Sequence, residues 1–234
     1  RQRQMCIRDR YMTHPEEWTY HIPEGMTTME GALVEPAAVG MHAAVLGGAQ
    51  PGKSIVILGG GTIGLMVLQA CISLGATDIT VVDVIEKRLE LAKKLGAARV
   101  INGKEEDTVA VLRSEEMYGD HGVDLVFEAA GAVFTAQQAV QIVSRGGKIM
   151  MVGTQSKPVP IDFLKINREV TIQTSFRYCN NFPQTIEAIS SGRFNVKDMV
   201  TNIYDYEDVQ KAFEEAIDPV KKTEMVKGVI KVAE

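Results

Sequence analysis

The chain alternates short, nearly uninterrupted apolar runs with longer stretches that have a helical period. The apolar runs predict buried strands, because helices on both faces of a sheet leave no solvent-facing side chains. The strands are predicted at SIVIL (54–58), DITVVDV (78–84), 98–102, VDLVF (123–127), KIMMV (148–152) and 169–175. The first predicted helix starts at Pro36 and covers 36–46, and the second follows the glycines at 59–64 and runs through 74. Further helices are predicted at 86–95, 105–118 and 133–143.

Strands that alternate with helices form right-handed βαβ units and a parallel sheet. The sequence therefore predicts an α/β fold with a doubly wound, six-stranded parallel sheet of the Rossmann type. The pattern changes after Tyr178, with helices at 183–190 and 207–216, an extended stretch at 195–204 and a final strand at 228–232. That last strand has no obvious partner in a six-stranded sheet, so we assign it to a second domain that is mostly missing.

Composition and charge narrow the class of protein. The 234 residues are 45% hydrophobic and 24% charged, which is typical of a globular chain. The net charge of −5 gives no electrostatic reason to bind nucleic acid or an anionic membrane. Residues 54–77 carry no charge, but their glycines favour a buried strand and helix over a membrane span. Three scattered cysteines fit a reducing, cytoplasmic location.

A glycine-rich motif follows the first strand and opens a helix. Gly59 allows the tight turn, Gly61 lets the backbone approach a pyrophosphate, and Gly64 lets helix and strand pack closely. Asp83 ends the second strand, 24 residues after Gly59, where a carboxylate accepts hydrogen bonds from a ribose. This combination predicts a dinucleotide site. Asp83 also favours NAD, because it would repel the 2′-phosphate of NADP.

Two further features near this site have alternative interpretations. Arg88 could stack near the adenine or offset part of the Asp83 charge, or it could be a solvated helix charge. Residues 47–54 match the P-loop spacing, but Lys53 and Ser54 open a strand instead of a helix. Because a working P-loop follows a strand, we reject a nucleoside triphosphatase.

Other candidate residues lie outside the glycine motif. Glu35, before Pro36 in an apolar string, is either a helix-start acid or a metal-site or proton-relay group. Arg177 and Tyr178 follow the sixth strand and could donate to substrate hydroxyls, or could form an interface ion pair and a packed aromatic. The histidines show no metal-ligand spacing and are interpreted as structural: His14, His21, His42 and His121.

Several strings together resemble the medium-chain zinc-dependent dehydrogenase/reductase family, in particular its sorbitol (L-iditol 2-) and xylitol dehydrogenases. The strings are GALVEPAAVGMHA (31–43), PGKSIVILGGGTIGL (51–65), VVDVIEKRLELAKKLGA (81–97), VDLVFEAAG (123–131), GGKIMMVG (146–153) and FRYCN (176–180). The resemblance implies a homotetrameric or homodimeric enzyme that oxidises a secondary alcohol of a polyol to a ketose, with NAD and zinc. Threonine and butanediol dehydrogenases, or a non-catalytic NAD(H)-binding module, remain alternatives.

The resemblance also implies roles for individual residues. The adenosine half of NAD would contact Ile63, Asp83 and Arg88. The nicotinamide half would contact Val152, Gly153, Thr154, Ser175, Phe176 and Arg177. Glu35 would lie by the catalytic zinc, directly or through water, and Arg177 and Tyr178 would touch the polyol.

The sequence departs from the family at its beginning. Residues 1–10 look foreign, Cys6 lies among them, and no Gly-His-Glu occurs, so the other zinc ligands are missing from this chain. The expected division is the tail of a GroES-like catalytic domain at 11–36, an NAD-binding domain at 37–176 and a segment at 177–234 that returns to the catalytic domain. We therefore expect a fragment that is inactive by itself.

Overall fold

The computed structural model describes residues 13–166 and 169–232. The segment predicted to be foreign, 1–10, lies outside the described residues. The strands are β1 Ser54–Leu58, β2 Asp78–Asp83, β3 Arg99–Asn102, β4 Val123–Glu128, β5 Val143–Met151, β6 Thr171–Thr174, β7 Val200–Asp205 and β8 Lys227–Lys231. The helices are α1 Thr28–Gly47, α2 Thr62–Ser73, α3 Glu86–Lys94, α4 Thr108–Leu112, α5 Val133–Ile142, α6 Phe182–Ser190, α7 Val209–Ile217 and α8 Lys221–Glu224.

The central sheet confirms the predicted fold class. Its order is β3-β2-β1-β4-β5-β6, and every neighbouring pair is parallel. Strands β1 to β3 are therefore added towards one edge of the sheet and β4 to β6 towards the other, so the strand order reverses between β1 and β4. Ligands of open α/β sheets bind at such a switch point, outside the carboxyl ends of the strands.

Side chains of β1 alternate between two buried layers. Ile55 and Ile57 pack with α1 and α2, whereas Val56 and Leu58 pack with residues of α4 and α5. Because both faces are covered, the strands need apolar residues at consecutive positions. This explains why the predicted strands are continuous runs.

Helix α1 begins earlier than the helix predicted from Pro36. The side chain of Thr27 accepts from the backbone N–H of Glu30, and the carboxylate of Glu30 accepts from the N–H of Thr27. This capping box fixes the start at Thr28. Pro36 lies inside the helix, where it removes one intrahelical hydrogen bond without ending the element. Glu35 is therefore not a helix-start acid, and α1 runs across the predicted domain boundary at 36/37.

We expect the capping box to make stability depend on pH. Burial raises the pKa of Glu30, but hydrogen bonds from Thr27 and the nearby Lys197 outweigh it and leave the pKa below its usual value. A lowered pKa stabilises the fold at neutral pH, and this contribution is lost as the pH falls through the acid range. Glu30→Gln should therefore lower the free energy of unfolding by about 1 kcal/mol at neutral pH. The deficit should shrink near pH 3, as urea denaturation at both pH values can show. An equal deficit at both would contradict this account of Glu30.

One other predicted element is wrong. The helix expected at 105–118 is only α4, because residues 114–119 fold into turns closed by N–H···O bonds to Ser114. The final strand predicted at 228–232 is confirmed as β8 and lies outside the six-stranded sheet. It pairs in parallel with β7, and α7 and α8 connect the two strands. The β7–β8 unit packs on the main core through Val226 and Val229. The Thr62 hydroxyl donates to the carbonyl of Val226, which ties this unit to α2.

No helix in the described part of the chain has both the length and the apolar character needed to cross a membrane.

Candidate functional site

A cleft of about 440 Å³ lies at the carboxyl ends of β1, β2 and β4. It is the place where the strand order predicts a ligand. The residues that line it come from the glycine motif, the end of β2, the loops after β3 and β4, and the helices α3, α4 and α5. They include Gly59, Gly61, Asp83, Arg88, Gly103, Thr108, Ala129, Ala130, Phe134, Thr135 and Gln138.

The glycine corner between β1 and α2 leaves no room for side chains at two positions. Gly59 has φ +112°, and a Cβ there would lie 2.8 Å from the backbone nitrogen of Ala130. A Cβ on Gly64 would lie 1.8 Å from the carbonyl oxygen of Gly59. Gly64 therefore sets how closely α2 approaches the corner, as the motif predicts.

Gly61 differs from these two glycines, because it faces open space. It is the N-cap of α2, and a Cβ there would meet nothing closer than the Arg88 guanidinium at 3.9 Å. Gly61 has no side chain with which to cap this helix end. The N–H groups of the first turn of α2 therefore open towards the cleft, where they can donate hydrogen bonds to a phosphate group.

Asp83 lies at the wall of the cleft and is almost fully buried. Its Oδ2 accepts from the N–H of Gly60 at 2.7 Å, and its Oδ1 accepts from the N–H groups of Val84 and Ile85. The carboxylate thus holds the glycine corner as well as facing the cleft. Nη1 of Arg88 lies 3.6 Å from Oδ2 of Asp83, and Arg88 also lines the cleft, so it is more than a solvated helix charge.

The predicted adenosine contact Ile63 is half-buried on the first turn of α2 and is not among the residues that line the cleft. The opposite wall of the cleft is formed by the β4–α5 loop and by Phe134, Thr135 and Gln138, none of which the glycine motif predicts. Thr108 was also missed, although it is buried beside the cleft and its hydroxyl has no partner among the described residues. Thr108 follows β3 and the opposite wall follows β4. Their positions after the carboxyl ends of these strands could have predicted both.

The residues predicted to meet the nicotinamide half come together at the ends of two paired strands. Val152, Gly153 and Thr154 follow β5, and Ser175 follows β6, with the Ser175 N–H donating to the carbonyl of Met151 at 2.9 Å. The Ser175 hydroxyl is buried and has no partner within the described part of the chain. A buried, unpartnered hydroxyl can donate to a ligand amide.

A second pocket, of about 740 Å³, brings Glu35 and Tyr178 together. Trp18, Tyr20 and Phe182 give it an aromatic wall. Burial and the negative charge of Glu35 raise the pKa of the Tyr178 hydroxyl, while Arg177 partly offsets this. Tyr178 therefore stays protonated at neutral pH and can donate a hydrogen bond.

Arg177 and Phe176 are exposed instead of lining that pocket. Arg177 has φ +51°, and its guanidinium lies 5.4 Å from the centre of the Phe176 ring. Both side chains extend from the end of β6, near Ser175. The structure thus brings Glu35 and Tyr178 together and leaves Arg177 at the edge.

The described residues do not form a metal centre. Within 13–166 and 169–232, no three His, Cys, Asp or Glu side chains are grouped so that they could hold a metal ion. Glu35 shares its pocket with His14 and Cys179, but these three do not form such a group. The P-loop-like segment is confirmed to have reversed order, since α1 ends at Gly47 and β1 begins at Ser54.

The sequence profile of the zinc-binding dehydrogenases matches residues 62–191, which include α2, the Asp83 wall and the strands from β2 to β6. That match covers more than half of the chain. The chain therefore belongs to the zinc-binding dehydrogenase family, as the resemblance of its motifs predicted.

Individual relatives support the same family. The chain is 62% identical over 224 residues to the uncharacterized zinc-type alcohol dehydrogenase-like protein YdjJ of Escherichia coli, covering 96% of this chain and 63% of that one. It is 39% identical to sorbitol dehydrogenase of Bacillus subtilis, over 88% of this chain and 59% of that one. The crystal structure of ECK1772 from Escherichia coli, an oxidoreductase/dehydrogenase of unknown specificity involved in membrane biogenesis, superposes with a TM-score of 0.91 at 62% identity. It matches over 94% of this chain and 62% of its own length. The chain thus spans about three fifths of the length of these relatives.

Proposed function

We propose that this chain is the cofactor-binding part of an NAD-dependent polyol dehydrogenase. The observation that carries the proposal is the glycine corner with Asp83 at its side. The corner exposes the first turn of α2 to a pyrophosphate, and Asp83 faces the same cleft. A buried carboxylate at that place favours a free ribose over a 2′-phosphate, which is the basis for NAD over NADP.

The proposed substrate is a sugar alcohol of the sorbitol, xylitol or L-iditol type. Glu35 and the protonated Tyr178 give the second pocket one acceptor and one donor for vicinal hydroxyls. The relative from Bacillus subtilis is named sorbitol dehydrogenase, which supports this class. In the complete enzyme the nicotinamide would supply the hydride acceptor, and it would be held by Val152, Gly153, Thr154, Ser175, Phe176 and Arg177.

Zinc belongs to the complete enzyme in this proposal, with Glu35 beside it. The described residues do not supply a set of zinc ligands by themselves. A cytoplasmic homodimer or homotetramer stays a prediction. The division at 36/37 and 176/177 is also part of the proposal.

We expect the purified chain to bind NADH without turning over sorbitol or xylitol. NADH fluorescence measures binding, and NADH formation from NAD⁺ with added zinc measures turnover. In the binding assay, sorbitol or xylitol should shift the fluorescence of bound NADH, and a Tyr178→Phe variant should lose that shift because its ring lacks the hydroxyl donor.

The outcomes separate the alternatives. Zinc-dependent turnover by the purified chain would refute the inactivity proposed for it. A fluorescence shift with threonine or butanediol, and none with polyols, would favour the other alcohol dehydrogenases. NADH binding that no alcohol alters would favour a non-catalytic NAD(H) module.

A further inference from the structure

Glu128, the last residue of β4, is a fully buried carboxylate that the proposed function has not used. Both of its oxygens accept hydrogen bonds. Oε1 lies 3.0 Å from the Ala130 nitrogen, 2.9 Å from the Gly131 nitrogen and 2.7 Å from the Thr135 hydroxyl. Oε2 accepts from Nε2 of Gln155 at 2.8 Å. One side chain therefore gathers donors from the β4–α5 loop, from α5 and from the segment after β5.

The main chain of Glu128 makes the same connection. Its carbonyl oxygen accepts from the N–H groups of Val152 and Gly153, both at 2.8 Å. Glu128 thus holds the segment at 152–155 twice, since its backbone carbonyl binds Val152 and Gly153 and its side chain binds Gln155. That segment contains the residues proposed to face the nicotinamide ring.

The two loops that Glu128 joins are packed against each other without spare room. A Cβ on Gly153 would lie 2.3 Å from the Gly131 nitrogen and 2.8 Å from Oε2 of Glu128. Gly131 has φ +69°, and a Cβ there would lie 2.7 Å from the carbonyl oxygen of Thr154. Any displacement of the loop at 129–131 is therefore passed directly to Gly153 and Thr154.

We propose that Glu128 is a positioning residue for the nicotinamide half of the cofactor. This rests on the proposed function, since it takes Val152–Thr154 as the wall beside the nicotinamide. Glu128 touches no cofactor atom in this proposal. It fixes Gly131 and Gln155, which in turn fix Gly153 and Thr154. In this proposal Gly59–Gly64 and Asp83 hold the adenosine half, and none of them hydrogen-bonds to the Glu128 side chain. Ala130 and Thr135, which do, line the same cleft, so a change at Glu128 should weaken ADP-ribose binding as well, but less than NADH binding.

The test compares the binding of NADH and of ADP-ribose, which lacks the nicotinamide, by calorimetry. Glu128→Leu has similar size but accepts nothing, so it leaves buried N–H groups unpaired. We expect Glu128→Leu to raise the Kd for NADH by about tenfold more than the Kd for ADP-ribose. If Glu128 had only a structural role, the Kd values for NADH and for ADP-ribose would rise by the same factor.

Glu128→Gln is the conservative variant that should restore binding. Its remaining oxygen accepts from Ala130 and Gly131. Nε2 of Gln155 now faces Glu128, so the Gln155 amide must rotate by about 180° for its Oε1, which has no partner among the described residues, to accept from the new amide. The Kd for NADH should stay within about threefold of the unmodified chain. A Gln variant as weak as the Leu variant would overturn the hydrogen-bonding basis of the proposal.

A second variant keeps the proposal testable if Glu128→Leu does not fold. Gln155→Leu removes the hydrogen bond between Gln155 and Glu128 and leaves the end of β4 unchanged. It should also raise the Kd for NADH more than the Kd for ADP-ribose. Equal effects on both ligands in the folded variants would overturn the positioning role alone. Absence of NADH binding to the unmodified chain would instead overturn the proposed function.

Discussion

Gly64→Ala is expected to lower the free energy of unfolding by about 3 kcal/mol and to weaken NADH binding by more than tenfold. The new Cβ would lie 1.8 Å from the Gly59 carbonyl oxygen and 2.9 Å from its carbon. Both atoms belong to the backbone, so the conflict cannot be relieved by a side-chain rotation. The helix must move away from β1, and the phosphate-facing corner opens. Urea denaturation and calorimetric NADH titration measure the two effects.

Gly61→Ala is the matched control for that variant. Gly61 has φ −72°, which alanine adopts freely, and nothing but the end of Arg88 comes within 4 Å of the new Cβ. We therefore expect the free energy of unfolding to change by less than about 1 kcal/mol. NADH binding should still fall, because the methyl group occupies the approach to the first turn of α2. Unchanged NADH affinity in Gly61→Ala would contradict a pyrophosphate at this corner.

Asp83→Asn is expected to raise the Kd for NADH by about tenfold or more and to erase the preference for NADH over NADPH. The amide nitrogen would either face the N–H of Gly60, now 2.7 Å from Oδ2, or the N–H groups of Val84 and Ile85. In each orientation a donor faces a donor. The lost charge also removes the repulsion of a 2′-phosphate.

Glu86→Gln is the control for a loss of charge near the same site. Glu86 opens α3 close to Asp83, but its carboxylate accepts from the Asn102 side chain on the surface and does not line the cleft. Its effect on both Kd values should be within about twofold. If Asp83→Asn resembled Glu86→Gln in its binding of both coenzymes, Asp83 would have no role in coenzyme choice.

The cofactor cleft was largely predictable because its signals are local. Gly59, Gly61 and Gly64 occupy fixed offsets within one turn, and Asp83 ends the adjacent strand. Buried strands such as β1 are readable for the same reason, since their apolar runs need no distant partner to be recognised. The fold class follows from the alternation of these elements.

The parts that were missed depend on longer-range contacts or on an overlooked cap. The spacing of Thr27 and Glu30 matches a capping box and marks the start of α1, whereas Pro36, which is common in first helical turns, indicates a later start. The pairing of β8 with β7 and the bonding of Glu128 to Gln155 join residues about 25 positions apart or more. No periodicity in the sequence marks such pairs. Arg177 and Tyr178 are expected at the substrate because both follow the sixth strand. Tyr178 lines the pocket with Glu35, whereas Arg177, with φ +51°, is exposed outside it, and its contact with a polyol stays a prediction.

Parallel calorimetric titrations of the unmodified chain with NADH and with NADPH test the account most directly. The glycine corner and Asp83 predict that NADH binds to a single site and that NADPH binds at least about tenfold more weakly. The absence of a binding signal for NADH, or equal or tighter binding of NADPH, would contradict the account.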